Sequence, residues 1–367
     1  MTQRLVAAML AAPAIAALLL YSAFTTLPYA TYQPGGTVDI LGTDPENNDA
    51  EIIQVDGHET FRDDGELRMT TVRVSPAAEK GQEGGENLLS LLSTWFDGDN
   101  AVYPYDLVHG PDETPESSRE QGQVQMSTSQ DTAIAIALAE MGEPVAQVLK
   151  VAELTEGMPA ADVLEVGDVI RTVDGTEVAD ADELVAAVGR REPGDEVRLG
   201  ITRDGTDRTV RIKTVDVDGE PKVGITPGVG YDDFPFEVRI NVPASIGGPS
   251  AGLVFSLAVY DTLTPGSLTG GHHVAGTGEI DTDGSVGPIG GIQQKIAGAR
   301  DDGADLFLVP VDNCADALEA DPGDMRLMMA ETMHDVRLAL EDYAADDDAD
   351  LPSCDDADAA IAERAAQ

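Results

Sequence analysis

Apolar and polar positions alternate with period two over Leu67–Val74, the pattern of a half-buried strand. Glu51–Val55 reads as a second, shorter strand. Between Leu5 and Phe24 the chain is almost continuously apolar, about twenty residues and enough to span a bilayer. Arg4 precedes this run and acidic residues follow from Asp39 onward. That charge order predicts a cytoplasmic N-terminus with the rest outside. No small-x-small site follows at the right distance, so an uncleaved anchor is expected in place of a signal peptide. Leu88–Phe96 predicts a short apolar helix containing Trp95, the sole tryptophan, with burial expected for its ring. Residues 110–123 are polar and contain proline, and predict a loop. Met126–Met141 predicts a helix rich in alanine, isoleucine and leucine that packs on a sheet.

The middle of the chain changes character. Val145–Val151 predicts a strand and Asp180–Val188 a short amphipathic helix. Val197–Thr202 and Arg208–Thr214 predict a hairpin across Asp204-Gly205. The series Gly157-Met158-Pro159-Ala160, Gly167-Asp168-Val169-Ile170, Val173-Asp174-Gly175, Asp182-Glu183-Leu184 and Pro193-Gly194-Asp195 resembles a PDZ domain of the bacterial protease type. The resemblance implies binding of peptide C-termini by strand addition, in a groove between the Val145–Val151 strand and the Asp180–Val188 helix. One departure stands out. Only Gly142-Glu143-Pro144 precedes that strand, where the family carries a glycine-containing hydrophobic loop for the terminal carboxylate. Glu143 would repel such a carboxylate.

Chemistry concentrates between Phe236 and Asn313. Phe236–Val242 predicts a strand, and Ser250–Leu263 an apolar helix with Pro249 where a first-turn proline belongs. A serine at a helix start has free N–H groups beside it, and these and the helix dipole favour a developing oxyanion. The N–H groups of Gly248, Ser250 and Ala251 are the candidates. On Gly248-Pro249-Ser250 alone, an ordinary helix cap is the simpler reading. Lys295 changes the balance. The chain has five lysines against seventeen arginines, and Lys295 is the only lysine after Lys222. Arginine cannot give up its proton at neutral pH, whereas a buried lysine can. A serine hydroxyl with a neutral lysine is a nucleophile–base pair for peptide hydrolysis.

Gly248-Pro249-Ser250-Ala251-Gly252, Thr277-Gly278-Glu279-Ile280, Pro288-Ile289-Gly290-Gly291 leading to Lys295, and Val309-Pro310 leading to Asn313 occur in this order. Together they resemble the proteolytic domain of Lon-type serine proteases. The resemblance implies Ser250 as nucleophile, Lys295 as general base and Thr277 as the hydroxyl that hydrogen-bonds the lysine. It gives Glu279 a structural role. Gly247 falls where many Lon enzymes carry an acidic residue, which removes a carboxylate contribution. It also implies ring-like homo-oligomers. The family's domain begins well before its nucleophile, so the PDZ domain is expected as an insertion within it.

The expected fold class is therefore α+β: an N-terminal transmembrane helix, then a Lon-type proteolytic domain with small sheets and an inserted, mostly β, PDZ domain. The expected divisions are 1–30 as stub and anchor, 31–142 as the first part of the Lon-like domain and 143–216 as PDZ. Residues 217–343 form the Lon-like core, and 344–367 a disordered acidic tail. No Gly-x-x-x-x-Gly-Lys-Ser/Thr phosphate loop occurs, so cleavage would be independent of ATP.

Charge narrows the partners. There are 68 acidic and 22 basic residues, a net charge of −46, and such a field repels nucleic acid. No cofactor or metal is expected, since no Cys/His cluster has ligand spacing and His272-His273 stands alone beside glycines. Cys314 and Cys354 leave a disulfide open. The expectation is an endopeptidase at the cell membrane, single-pass, with its catalytic part extracytoplasmic. It would cut unfolded proteins or peptides there, with the PDZ domain gating or presenting them. The competing expectation is a non-catalytic PDZ membrane adaptor on a Lon-like platform.

Overall fold

In the computed structural model, residues 3–79, 81, 82, 84–111, 113–203 and 205–364 are described. Contacts divide the chain into two compact units, one of residues 1–140 and 236–367, the other of residues 141–235.

The first unit opens with α1 (Gln3–Phe24), which contains Pro13. The expected membrane span over residues 5–24 lies partly outside the residues whose side chains are described. Among the described residues no helix is long and apolar enough to cross a membrane, against the roughly twenty apolar residues a span needs. This finding overturns the transmembrane helix, and with it the single-pass location, the cytoplasmic N-terminus and the extracytoplasmic catalytic part.

Strand β1 (Tyr29–Asp39), β2 (Ile53–Asp56) and β3 (Glu66–Val74) follow, then α2 (Leu88–Trp95), β4 (Ala101–Pro104) and α3 (Pro115–Glu140). Trp95 is 78% exposed, against the expected burial. Its eight-residue helix can bury one face only, and that face carries Leu91 and Thr94. The loop expected at 110–123 is mostly helix. Thr114 and Ser117 exchange hydrogen bonds in a capping arrangement, Thr114 N–H to Ser117 Oγ at 2.9 Å and Ser117 N–H to Thr114 Oγ1 at 3.2 Å. Pro115 fills the first turn. The polar run misled because it is the solvated face of a long helix whose burial starts at Met126.

The second unit holds β5 (Gln147–Leu154), β6 (Val169–Val173), α4 (Ala181–Gly189, capped by the Asp180 carboxylate), β7 (Glu196–Arg203), β8 (Thr206–Lys213) and β9 (Ile225–Tyr231). Their sheet order is β8-β7-β6-β5-β9. Leu149, Val151, Ile170, Leu184 and Leu199 fill the core. Strand β5 has β6 on one side and β9 on the other. Strand β5 is therefore an interior strand, paired along its length with β9 and at Lys150 opposite Val169 with β6, which argues against strand addition in the groove expected between β5 and α4. The edge strand beside β5 is β9. It is preceded by Lys222-Val223-Gly224, where Gly224 has φ +86°.

The chain then returns to the first unit through β10 (Glu237–Ile240), α5 (Gly252–Leu263), β11 (His273–Gly276), β12 (Glu279–Ile280), β13 (Val286–Gly287) and α6 (Ile292–Asp301). It ends in β14 (Leu306–Pro310), β15 (Arg326–Ala330), α7 (Met333–Ala345) and α8 (Ala357–Arg364). The main sheet runs β15-β14-β11-β3-β1-β4. Strands β15, β14, β11 and β3 are mutually parallel, and β1 and β4 are antiparallel additions. Strand β3 thus sits inside a sheet completed by residues more than two hundred positions later. Helix α5 is apolar on every side and almost wholly buried, as a central helix must be.

The acidic segment after Ala344 is not disordered over its described residues. Cys354 is disulfide-bonded to Cys314 and buried. The Met329 N–H donates to Pro352 O at 2.9 Å, and Arg326 donates to the carbonyls of Asp347 and Ala349. Composition misled here because a covalent staple and backbone hydrogen bonds replace apolar bulk. The disulfide closes a separation of 40 residues, worth about 4 kcal/mol on chain-entropy grounds. Thermal melts with and without dithiothreitol, and of the double Cys→Ser variant, should therefore show a Tm lower by several degrees once the bond is gone. An unchanged Tm would show that the backbone contacts alone hold this segment.

Candidate active site

Ser250 does not sit inside the helix but in the turn before it, since α5 starts at Gly252. Several groups fix that turn. The Ser250 carbonyl accepts from Gly278 N–H at 2.8 Å and from Thr277 Oγ1 at 2.9 Å. The Pro249 carbonyl accepts from Ser129 Oγ at 3.0 Å. Gly278 adopts φ +153°, and a Cβ there would lie 2.6 Å from Val286 Cγ1, so this position needs glycine.

Lys295 lies in the first turn of α6. The entry to that helix is held by Asn313, whose Oδ1 accepts from Ile289 N–H at 2.8 Å and whose Nδ2 donates to Ile289 O at 3.0 Å. The sequence reading missed this positioning role, although the Val309-Pro310-x-x-Asn313 spacing carried the signal. Lys295 is 2% exposed and has Ile292 and Ile296 as buried helix neighbours. Its Nζ is hydrogen-bonded to Ser250 Oγ at 2.8 Å and to Thr277 Oγ1 at 2.9 Å. Two hydroxyls from separate stretches of chain, those of Ser250 and Thr277, thus converge on the Lys295 amine.

Burial lowers the Lys295 pKa to about 7, and the Glu279 carboxylate opposes that shift. Desolvation dominates because a lone ammonium away from water loses its hydration. The Glu279 carboxyl is itself raised, first by burial and then by Asp281. Its electrostatic link to Lys295 is a second feature the sequence reading missed, having treated Glu279 as structural only.

Of the three N–H groups expected to face an oxyanion, Gly248 is excluded. Its N–H donates to Gly122 O at 2.8 Å. Among the described residues, the Ser250 and Ala251 N–H groups donate to no protein acceptor. Gly247 packs against α3, and a Cβ there would lie 3.0 Å from the Gly122 carbonyl carbon. The close approach of Gly122 therefore leaves little room for a side chain at 247.

Ser250 and Lys295 open into a cleft of about 230 Å³ walled by Met69–Arg73 of β3 and by the 245–247 loop. The same loop borders two wider clefts. One, of about 710 Å³, extends past Gln123 and Asn241. The other, of about 560 Å³, extends past Ser75, His109 and Arg119. Strand β11 pairs with β3 only as far as Gly276 opposite Met69, so Thr70–Val74 have no strand on that edge among the described residues. Among those residues no group of three or more His, Cys, Asp or Glu is arranged to hold a metal ion.

Comparisons with known proteins fall on the same segments. Residues 101–214 match the PDZ domain family, and residues 217–341 match the Lon protease (S16) C-terminal proteolytic domain. The second compact unit, 141–235, is offset from the PDZ match. Its boundaries are the better guide to that domain, because β9 closes its sheet. Lon protease 1 of Sorangium cellulosum is 40% identical over 93 residues, 24% of this chain and 11% of that protein. The Lon protease of Roseiflexus castenholzii is 33% identical over 110 residues, 29% of this chain and 12% of that protein. The chain thus spans little more than a tenth of the length of these relatives. The solved PDZ domain of the SdrC-like protein from Listeria monocytogenes is 29% identical over 22% of this chain and 86% of that one, with a TM-score of 0.21. The chain thus carries one segment similar to a PDZ domain and one similar to the proteolytic domain of Lon proteases.

Proposed function

We propose that this chain is an ATP-independent serine endopeptidase in which Ser250 is the nucleophile, Lys295 the general base and Thr277 a positioning hydroxyl. The observation that carries this reading is the 2.8 Å contact between Ser250 Oγ and a lysine amine that burial holds near neutrality. With the amine neutral, Ser250 Oγ–H donates to the Nζ lone pair, and Nζ donates to Thr277 Oγ1. Lys295 takes the hydroxyl proton as Oγ attacks the peptide carbonyl. The resulting ammonium donates that proton to the leaving amine. Water then hydrolyses the acyl-enzyme with Lys295 again as base. The Ser250 and Ala251 N–H groups would face the oxyanion.

Substrates in this reading are unfolded proteins or peptides, since only an extended chain can lie along the open edge of β3 beside Ser250. ATP independence rests on the lack of a phosphate-binding loop in the sequence. The catalytic domain would comprise residues 31–142 and 217–343, with the PDZ domain inserted. The first segment supplies β3 and α3, and the second supplies α5, β11 and α6.

The PDZ unit would take peptide C-termini on the free edge of β9. The carbonyls of Val223 and Gly224 accept from Ala160 and Thr155 N–H, which fixes the turn ahead of that edge. Val185 of α4 and Val229 of β9 are exposed apolar side chains of this unit. The Val223-Gly224-Ile225 stretch supplies the glycine-containing loop not found before β5.

The test is incubation of residues 31–367 with an unfolded protein, wild type beside Ser250→Ala. Fragments should form with the wild type alone, and equal cleavage by both would remove the reading.

A further inference from the structure

The arginines of the first unit divide into two sets. Arg62, Arg68, Arg239, Arg300 and Arg337 are each ion-paired to a carboxylate. Arg326 is held by the Asp347 and Ala349 carbonyls. Among the arginines of this unit whose side chains are described, Arg73 and Arg119 are the exceptions, with no ion pair or side-chain hydrogen bond. In a chain with 68 acidic residues, a guanidinium left without a carboxylate is unexpected, and these two line the cleft that holds Ser250 and the cleft adjoining it. Arg73 of β3 lines the cleft that holds Ser250 and Lys295. Arg119 of α3 lines the adjoining cleft that shares the 245–247 loop. The carboxylate that lines that second cleft, Glu113, is already engaged by Gly110 N–H at 2.8 Å and by His109 at 3.5 Å.

We propose that Arg73 and Arg119 select substrates: each reads a carboxylate side chain on the peptide, Arg73 beside the scissile bond and Arg119 further along the chain. The proposal rests on the protease reading above and names its substrate class as acidic peptide segments. A guanidinium presents a fork of N–H donors that fits a carboxylate bidentately. The protein's own negative charge acts against acidic peptides at long range. At physiological salt the Debye length is about 8 Å, so most of that repulsion is screened while a contact ion pair is not. The two arginines are solvent-accessible, which reduces the strength of each contact toward that of a surface pair.

The experiment compares peptides that differ only by Glu against Gln, scanned through the positions flanking the cleaved bond, in 0.15 M salt. The readout is the Glu:Gln ratio of kcat/KM within each enzyme, so partial misfolding of a variant cancels. Wild type should favour Glu by about three- to tenfold at one position near the bond and at a second, more distant one. Arg73→Gln should bring the first ratio to about one and leave the second, and Arg119→Gln should do the reverse. Arg239→Gln removes the same charge outside the clefts and should change neither ratio. A wild type that cuts both peptides equally, or ratios that persist in the variants, would overturn the selectivity while leaving the protease intact. A wild type that cuts neither peptide nor the unfolded protein would instead overturn the protease reading on which the selectivity rests.

Discussion

Lys295→Arg is expected to be as inactive as Ser250→Ala, with kcat/KM lower by ~10³-fold or more, as when one member of a nucleophile–base pair is lost. The substitution keeps the positive charge and removes the one property the mechanism needs. An arginine stays protonated at any pH at which the protein is folded, so it has no lone pair to take the Ser250 proton. It must also fit a site where Lys295 is 2% exposed, so folding is checked by a thermal melt. Lys295→Met separates chemistry from stability. Lysine titrates near 10.4 in an unfolded chain and at about 7 here, so between those values the unfolded chain binds the extra proton. Stability contributed at this position therefore rises with pH across that window, and the full cost of burial is present below about pH 7. Methionine removes that cost, so Lys295→Met should be inactive yet melt higher than wild type at neutral pH, an exchange of activity against stability at one residue. Wild-type cleavage rates in Lys295→Arg would sink the assignment of the base.

The second large effect is the pH profile. Only the neutral amine can act as base, so kcat/KM should be level above about pH 7 and fall about tenfold per pH unit below it. Glu279 gives an internal check on the cause. Its negative charge raises the Lys295 pKa against the effect of burial, so Glu279→Gln should lower that pKa and move the acid limb to lower pH. The variant would then retain more of its plateau activity at pH 6 than wild type does. An acid limb near pH 10 would show that Lys295 is not desolvated during turnover. A limb near pH 7 that Glu279→Gln does not move would assign the titration to another group.

Legibility in the sequence followed the range of the interaction involved. The apolar helix ending at Leu263 was readable because eleven of the twelve residues of α5 are buried. The β3 strand was readable from alternation within eight residues. Trp95 was misread because burial of a single ring depends on what lies opposite its helix. The groove between β5 and α4 was misread for a similar reason. Pairing of β5 with a strand some seventy residues later is a long-range event that no local pattern reports. The acidic C-terminal segment was misread because composition is blind to a disulfide.

The candidate site divides along the same line. Residue types and order were enough to single out Ser250, Thr277 and Lys295, because a lysine kept among arginines and a serine beside glycines are chemical statements that need no coordinates. Only the tertiary structure could bring the amine to 2.8 Å from the hydroxyl and desolvate it. It alone commits the Gly248 N–H to Gly122, clamps the Lys295 helix through Asn313, and leaves Arg73 and Arg119 open beside the cleft. The sequence determines which groups are chemically able to react. Burial and hydrogen-bond competition depend on neighbours tens to hundreds of residues away, so distance, protonation and the choice among N–H donors are properties of the folded chain.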